Sequence, residues 1–298
     1  MTRLTTPRAA PRRSAARALR RRPSTASRPQ EARTLAELMD LTGRRALVTG
    51  GAGHIGLAAC ETLIELGARV AVVDRDAEAC RKRAALLSDR RGRGAVPLAC
   101  DLRDEAATRK MVRAAIAELG GLEILIHAAA YVGATQTEGW AVPFERQTVE
   151  AWDAALRVNL TSAFVMVQES RQALAASGHG SVILLSSIYG TTAPDFRLYA
   201  GTTMANPAAY GASKGGLLQL MRSLATTLAP RVRVNAIAPG GVRRDQPDAF
   251  QQRYAERTPL GRMAMEEDLK GAIAYLASDL SAYVTGQNLV VDGGWTIW

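Results

Sequence analysis

The stretch Arg45-Ala46-Leu47-Val48-Thr49-Gly50-Gly51-Ala52-Gly53-His54-Ile55-Gly56 decides the fold. A short apolar run ends in a threonine, passes into G-x-G-x-x-G over residues 51–56, and leads into a helical pattern. The order is strand, glycine turn, helix. Gly51 permits the tight turn, Gly53 lets the main chain approach a pyrophosphate, and Gly56 lets helix and strand pack closely. The helix N-terminus adds unpaired N–H groups and a partial positive charge that suit phosphates.

The glycine pattern alone is weak, and an acid at the right distance strengthens it. Asp74 stands eighteen residues past Gly56, at the end of Val70-Ala71-Val72-Val73. A carboxylate there can accept both ribose hydroxyls of NAD and repel the 2′-phosphate of NADP. The competing reading is a turn aspartate capping a helix from Asp76. Arg75 beside it could tolerate a 2′-phosphate, so NAD is the expected cofactor and NADP the lesser one. Asp101, ending the third strand, is placed either to meet the adenine edge or to cap the next helix.

Outward from this unit, short apolar runs alternate with longer helical stretches. The strand candidates are 45–49, 69–73, 95–100, 122–127, 181–186, 231–237 and 287–291. The helix candidates are about 54–66, 76–89, 104–119, 148–175, 208–228 and 266–277. Runs such as Ala46-Leu47-Val48 and Ile124-Leu125-Ile126 are continuous rather than alternating, which fits strands covered on both faces. The expected fold is α/β, a single Rossmann-type doubly wound parallel sheet of about seven strands flanked by helices.

The 298 residues are 47% apolar and 22% charged, an ordinary globular composition. Cys60, Cys80 and Cys100 have no C-x-x-C spacing, so neither a disulfide scaffold nor a zinc ribbon is expected, and no metal site is implied. No apolar run reaches the ~20 residues that span a bilayer. The net charge of +10 is concentrated in residues 1–33, which carry ten arginines and one acid, Glu31. Residues 34–298 hold 28 basic and 27 acidic side chains and are nearly neutral. The domain boundary therefore falls at 33/34, with a basic tail or leader before one catalytic-sized domain. A tail rich in Ala, Pro, Ser and Arg cannot bury a core. It reads as a disordered leader, an organelle transit peptide or an arm for acidic partners, and near-neutrality elsewhere argues against nucleic-acid binding.

Tyr210-Gly211-Ala212-Ser213-Lys214 places a phenol and an amine four residues apart, on one helix face. A free tyrosine, with pKa ~10, is a poor base near neutrality. A neighbouring ammonium and the charge of oxidised nicotinamide favour the phenolate, which could then exchange a proton with a substrate oxygen. Lys214 can also fix the nicotinamide ribose.

Over about 41–298 the chain resembles the short-chain dehydrogenase/reductase family. The resemblance rests on Thr49–Gly56, Asp74, Asp101, Asn159 in Val158-Asn159-Leu160, Ser186-Ser187, Tyr210 with Lys214, Asn235–Gly240 and Tyr283–Gly294. It implies that Ser187 hydrogen-bonds the reacting oxygen, Tyr210 is the acid/base, Lys214 sets its pKa, and Asn159 positions a water in a proton relay. It implies a cofactor set of Gly50, Gly51, Gly53, His54, Ile55, Gly56, Asp74, Asp101, Leu102, Ala128, Tyr210, Lys214, Pro239, Gly240 and Val242. It further implies a homo-oligomer, dimer or tetramer, with Trp295 and Trp298 as interface anchors, in the cytoplasm unless the leader directs import. No membrane partner is expected.

Three departures stand out. His54 occupies a position where the family has glycine. The Asn-Asn-Ala-Gly after the fourth strand reads His127-Ala128-Ala129-Ala130, without the sheet-bracing amides. After Pro239-Gly240 the usual threonine is missing from Gly241-Val242-Arg243-Arg244, which leaves the carboxamide contact to the Val242 main chain.

Ser187 and Tyr210 are also separated by about ten residues more than the family usually allows. The extra loop, 188–202, must line the mouth of the site and has the length of a lid. Tyr189, Arg197, Tyr199 and, facing them, Arg243 are the substrate candidates, with Arg244, Arg253, Arg257 and Arg262 nearby. Such a pocket suits a polar, sugar-like or anionic small molecule. The chain also resembles a bacterial subgroup linked to surface-sugar biosynthesis. The expected activity is an NAD(P)-dependent oxidoreductase exchanging a secondary alcohol and a ketone. The alternatives are an NADPH-dependent 3-oxoacyl or polyketide-type reductase, and a nucleic-acid or acidic-partner binder acting through the tail.

Overall fold

The computed structural model describes residues 32–91, 94–132 and 135–298, so nearly all of the basic segment 1–33 lies outside the described residues. Seven strands form one sheet in the order β3-β2-β1-β4-β5-β6-β7. They are β1 (Arg45–Thr49), β2 (Arg69–Asp74), β3 (Val96–Ala99), β4 (Ile124–His127), β5 (Gly180–Leu185), β6 (Val232–Pro239) and β7 (Asn288–Val291). Every neighbouring pair is parallel. The order reverses between β1 and β4, which opens a crevice at the carboxyl ends of the strands.

Helices cover both faces, as the continuous apolar strands require. β4 and β5 are buried at every position. One layer packs α4 (Glu105–Leu119), α6 (Ser162–Ala176) and α7 (Ala208–Leu228) through Val112, Met166, Leu217 and Met221. The other packs α2 (His54–Glu65), α3 (Ala77–Arg91) and α9 (Lys270–Ala277) through Leu63, Leu87 and Ile273. Local signals set the ends: Asp104 caps α4 by accepting from the Ala107 N–H at 3.0 Å, and Gly120 ends it at φ +80°.

Four elements differ from the sequence expectation. The helix expected over 148–175 is broken into α5 (Val149–Leu156), a π turn (Arg157–Thr161) and α6. The helix expected from 266 begins as a 3₁₀ turn over Glu266–Leu269. Neither α1 (Leu35–Met39) nor α8 (Asp248–Arg257) was expected. α1 buries no residue, and α8 buries only Phe250 and Tyr254, too little apolar periodicity to read. Strand ends otherwise agree to within about two residues, the usual blur of hydrogen-bond boundaries.

Two satellite clusters sit over the carboxyl edge of the sheet. Tyr189, Tyr199, Phe250, Tyr254, Met263 and Trp295 form one. Tyr131, Trp140 and Ala155 form the other, against which Tyr210 packs. Asn235 ties β6 to the chain entering β7, donating to the Val284 carbonyl at 2.9 Å and accepting from the Gln287 N–H at 3.0 Å.

Candidate active site

The glycine turn joins β1 to α2. Its left-handed residue is Gly50, at φ +67°, rather than Gly51. A Cβ on Gly50 would also press on the main chain of Ala128 and Ala129. A Cβ on Gly56 would collide with the Gly50 carbonyl, so that glycine permits the close helix–strand approach. Gly53 begins α2 with no side-chain cap.

This turn forms one wall of a cavity of about 290 Å³. Gly50, Gly53, His54, Ile55 and Gly56 line it, as do Asp74, Asp101, Leu102 and Ala128. The remaining cofactor candidates sit just outside it. Gly51 is held by its N–H to the Val73 carbonyl at 3.0 Å, Pro239 ends β6, and Gly240 follows it against Asp292. Val242 is buried and bridges to Ala264. The chain reaches the cavity two residues later, through Arg244.

The acids at the strand ends separate cleanly. Asp76, not Asp74, caps α3, accepting from the Glu78 and Ala79 N–H groups at 2.9 and 3.0 Å. Among the described residues the Asp74 carboxylate accepts only the N–H of Arg75, at 2.8 Å, and Asp74 lines the cavity. Asp101 is clasped by Arg103, which holds its carboxyl below the usual range, and the capping role falls to Asp104.

Tyr210 and Lys214 lie on the first turns of α7, with the Lys214 Nζ 5.8 Å from the centroid of the Tyr210 ring. Lys214 is buried and donates to the Leu185 carbonyl at 2.6 Å. Burial pulls its pKa down to about 8. Burial pushes the Tyr210 phenol up, while a hydrogen bond from Ser187 and the charge of Arg244 work against it.

Ser187 is the second residue past the end of β5, after Ser186, and its hydroxyl also accepts the Tyr189 N–H at 3.2 Å. Ser186 points the other way, donating to the Lys214 carbonyl at 3.0 Å. Asn159 sits in the π turn, completely buried. It accepts the Tyr131 N–H at 2.7 Å and donates to Ser213 Oγ at 2.9 Å, and Ser213 in turn donates to the Tyr210 carbonyl at 2.8 Å. A π turn inside a helix is a frequent mark of a functional site.

His127 ends β4, opposite Leu184 on β5, one residue before the carbonyl that holds Lys214. Its Nε2 lies 2.8 Å from Ser162 Oγ, which itself donates to the Val158 carbonyl at 2.7 Å. Ser162 must therefore accept, so the ring carries its proton on Nε2. Burial first, then the charge of Lys214, holds this histidine neutral, with its pKa down at about 3.

The 188–202 loop is folded onto α8. Tyr189 and Tyr199 place their hydroxyls 3.4 Å apart, and Tyr199 accepts from Asn206 Nδ2 at 3.1 Å. The arginines are largely committed within the protein, which corrects the expectation of guanidiniums free for an anion. Arg197 is 83% exposed and pairs with Asp195 at 2.8 Å. Arg253 donates to the Leu198 and Ala200 carbonyls at 2.9 and 2.7 Å, Arg257 pairs with Asp195, and Arg262 with Asp268. Arg243 is exposed. Trp295 is no exposed anchor: it is buried, stacked on Tyr254, with the Arg257 guanidinium 4.6 Å from its ring centroid. Trp298 remains 70% exposed.

Sequence reasoning missed Arg103, Tyr131 and Arg244 as cavity residues. Arg244 had a signal, since it stands where a threonine was expected. Arg103 and Tyr131 follow motif residues without any pattern of their own.

The family model described as enoyl-(acyl carrier protein) reductase matches residues 50–296. The D-threitol dehydrogenase of Mycolicibacterium smegmatis is 34% identical over 269 residues, 86% of this chain and 94% of that one. The rhamnolipids biosynthesis 3-oxoacyl-[acyl-carrier-protein] reductase of Pseudomonas aeruginosa is 34% identical over 267 residues, 85% of this chain and 96% of its own. Among solved structures, a gluconate 5-dehydrogenase from Burkholderia cenocepacia in complex with NADP and tartrate superposes with a TM-score of 0.77. It is 30% identical and covers 88% of this chain and 99% of its own. The chain belongs to the short-chain dehydrogenase/reductase family, whose members carry out oxidation and reduction with a nicotinamide cofactor. Among the described residues no helix is long and apolar enough to cross a membrane.

Proposed function

We propose that this enzyme is an NAD-preferring dehydrogenase/reductase that interconverts a secondary alcohol and a ketone on a hydroxyl-rich, polyol- or sugar-like molecule. The observation that carries the cofactor choice is Asp74, a carboxylate facing the cavity at the end of β2 with no cation paired to it in the contacts described. The glycine turn would take the pyrophosphate and Asp74 the ribose hydroxyls. Arg75 and Arg103 line the same end, and the Burkholderia relative is in complex with NADP, so the preference is a matter for titration.

When bound, the nicotinamide accepts or returns a hydride at the substrate carbon. Tyr210 would take the alcohol proton as base and return it as acid in the reverse direction. Ser187 would hold the reacting oxygen. Lys214 would hold the ribose, and Asn159 would fix the helix junction against Ser213, below Tyr210, where a relay water is expected.

In and just after the extra loop, Tyr189, Tyr199 and Asn206 offer hydroxyl and amide groups outside its ion pairs, which favours a hydroxyl-rich substrate. The threitol dehydrogenase among the relatives is named for an uncharged polyol, and the gluconate dehydrogenase for a hydroxyl-rich acid. A homo-oligomer, dimer or tetramer, fits the exposed apolar Val149, Trp152 and Phe164 on α5 and α6 and the exposed Ile297 and Trp298. Residues 1–33 are proposed to be a leader or tail to the catalytic unit 34–298, and the cytoplasm is the proposed compartment.

The experiment is a cofactor-reduction screen with NAD and NADP over polyols, aldonates and 3-hydroxyacyl thioesters. Turnover of polyols or aldonates with NAD supports the proposal. Turnover confined to the thioesters with NADP would replace it by the acyl-reductase reading.

A further inference from the structure

Two of the chain's departures from its family meet at one atom. His54, in the glycine turn, places its Nδ1 3.3 Å from Oε1 of Glu266. Arg244, on the loop after β6, places its Nε 3.5 Å from the same oxygen. His54 and Arg244 both line the dinucleotide cavity, together with Gly53 and Gly56. Glu266 belongs to the 3₁₀ turn leading into α9, and no residue of that turn lines the cavity.

The three side chains have unequal freedom. The main chain at Arg244 is pinned, its N–H donating to Gln246 Oε1 at 2.6 Å, so the guanidinium is presented from a fixed base. The two contacts to Glu266 are long. The neighbouring Arg262–Asp268 pair closes to 2.6 Å, the length expected of a tight charge-assisted bond. Glu266 thus holds its two partners loosely, and one carboxylate oxygen marks the space between them.

We infer that His54 and Arg244 form a two-donor seat for the cofactor's pyrophosphate, with Glu266 as the internal anion that the pyrophosphate displaces. The inference rests on the reading that the cavity takes a nicotinamide dinucleotide. A pyrophosphate brings two negative charges and several acceptor oxygens, against one charge on Glu266. It arrives at the N-terminus of α2, where the helix dipole favours anions. Arg244 brings a guanidinium to a loop that lacks the family's threonine, and His54 supplies a donor that glycine lacks. Glu266 weakens binding, because its attraction for both donors has to be overcome before the seat is filled.

Calorimetric titration with ADP-ribose and with adenosine tests this, because only the first contains the pyrophosphate and neither contains nicotinamide. Arg244→Met should weaken ADP-ribose about tenfold, the loss expected for one charge-assisted bond, and leave adenosine unchanged. Glu266→Gln should tighten ADP-ribose several-fold and also leave adenosine unchanged. Unaltered ADP-ribose affinity in Arg244→Met overturns the inference, and so does weaker or unaltered affinity in Glu266→Gln. Equal losses for both ligands overturn it too, since they mark a general distortion. A wild-type protein that takes up no ADP-ribose overturns the dinucleotide reading and the seat with it. Normal wild-type uptake with indifferent variants overturns the seat alone.

Discussion

The Lys214 amine lies 5.8 Å from the centroid of the Tyr210 ring while donating to the Leu185 carbonyl at 2.6 Å. The amine is anchored to the sheet, one helical turn from the phenol, in a place where ionisation is costly. This gives a stability consequence separate from catalysis.

Lys214 has its pKa lowered from 10.5 to about 8 by burial. The unfolded chain therefore binds more protons than the folded one between those values, and stability rises with pH across that window. Below pH 8 the full penalty applies, about 3 kcal/mol. Lys214→Met should remove it at the cost of an unpaired Leu185 carbonyl, about 1–2 kcal/mol. Urea denaturation should find the variant about 1–2 kcal/mol more stable at pH 7, with the advantage shrinking or reversing by pH 10. A variant less stable at pH 7 would contradict the penalty.

His127 titrates in the opposite part of the scale. Its pKa is lowered from 6.5 to about 3, so the unfolded chain takes up a proton that the folded chain refuses. Stability contributed by this group is complete above pH 6.5 and is lost as pH falls toward 3. Between pH 7 and 4.5 the loss is about 2–3 kcal/mol. His127→Asn lacks the titrating group, and its stability should fall less over that range by about this amount. Parallel pH dependence in the two proteins would show that this histidine charges without unfolding.

The proposed NAD preference rests on Asp74. Asp74→Ala should raise kcat/KM with NADP relative to NAD by about tenfold or more, since one repulsive carboxylate leaves the 2′ position. Wild-type protein that already prefers NADP in a direct titration would remove this role from Asp74.

Arg197 and Arg253 should behave differently although both sit at the extra loop. Arg197 is exposed and, among the described residues, pairs only with Asp195, so Arg197→Ala should change kcat/KM by less than about twofold. Arg253 holds the Leu198 and Ala200 carbonyls, so Arg253→Ala should free the loop and raise the substrate KM several-fold. Equal effects from the two variants would contradict this division.

The sheet and its helices were legible because strands buried on both faces read as unbroken apolar runs, as β4 and β5 do. Asp74 and the Tyr210–Lys214 pair were legible because strand ends and helical spacing fix positions without tertiary knowledge. The break at Asn159 was not, because residues 148–175 carry a helical pattern throughout and the π turn is set by contacts with Tyr131 and Ser213. The contacts of Arg197, Arg253 and Arg257 were not legible for the same reason. Composition shows their charge, but their partners, Asp195 and the Leu198 carbonyl, are set by the packing of the loop on α8. Trp295 looked like a surface anchor near the chain end, and its burial depends on Tyr254, a residue some forty positions earlier.

The role of Tyr210 is tested most directly by comparing wild type with Tyr210→Phe, in parallel, for NADH formation from a turned-over polyol and for NADH affinity by fluorescence. The phenol packs against the cluster of Tyr131 and Trp140 and is not among the cavity's lining residues, so its loss should lower kcat by about 10²–10⁴ while NADH affinity stays within about twofold. Undiminished turnover in Tyr210→Phe would contradict the assignment of the proton to this residue.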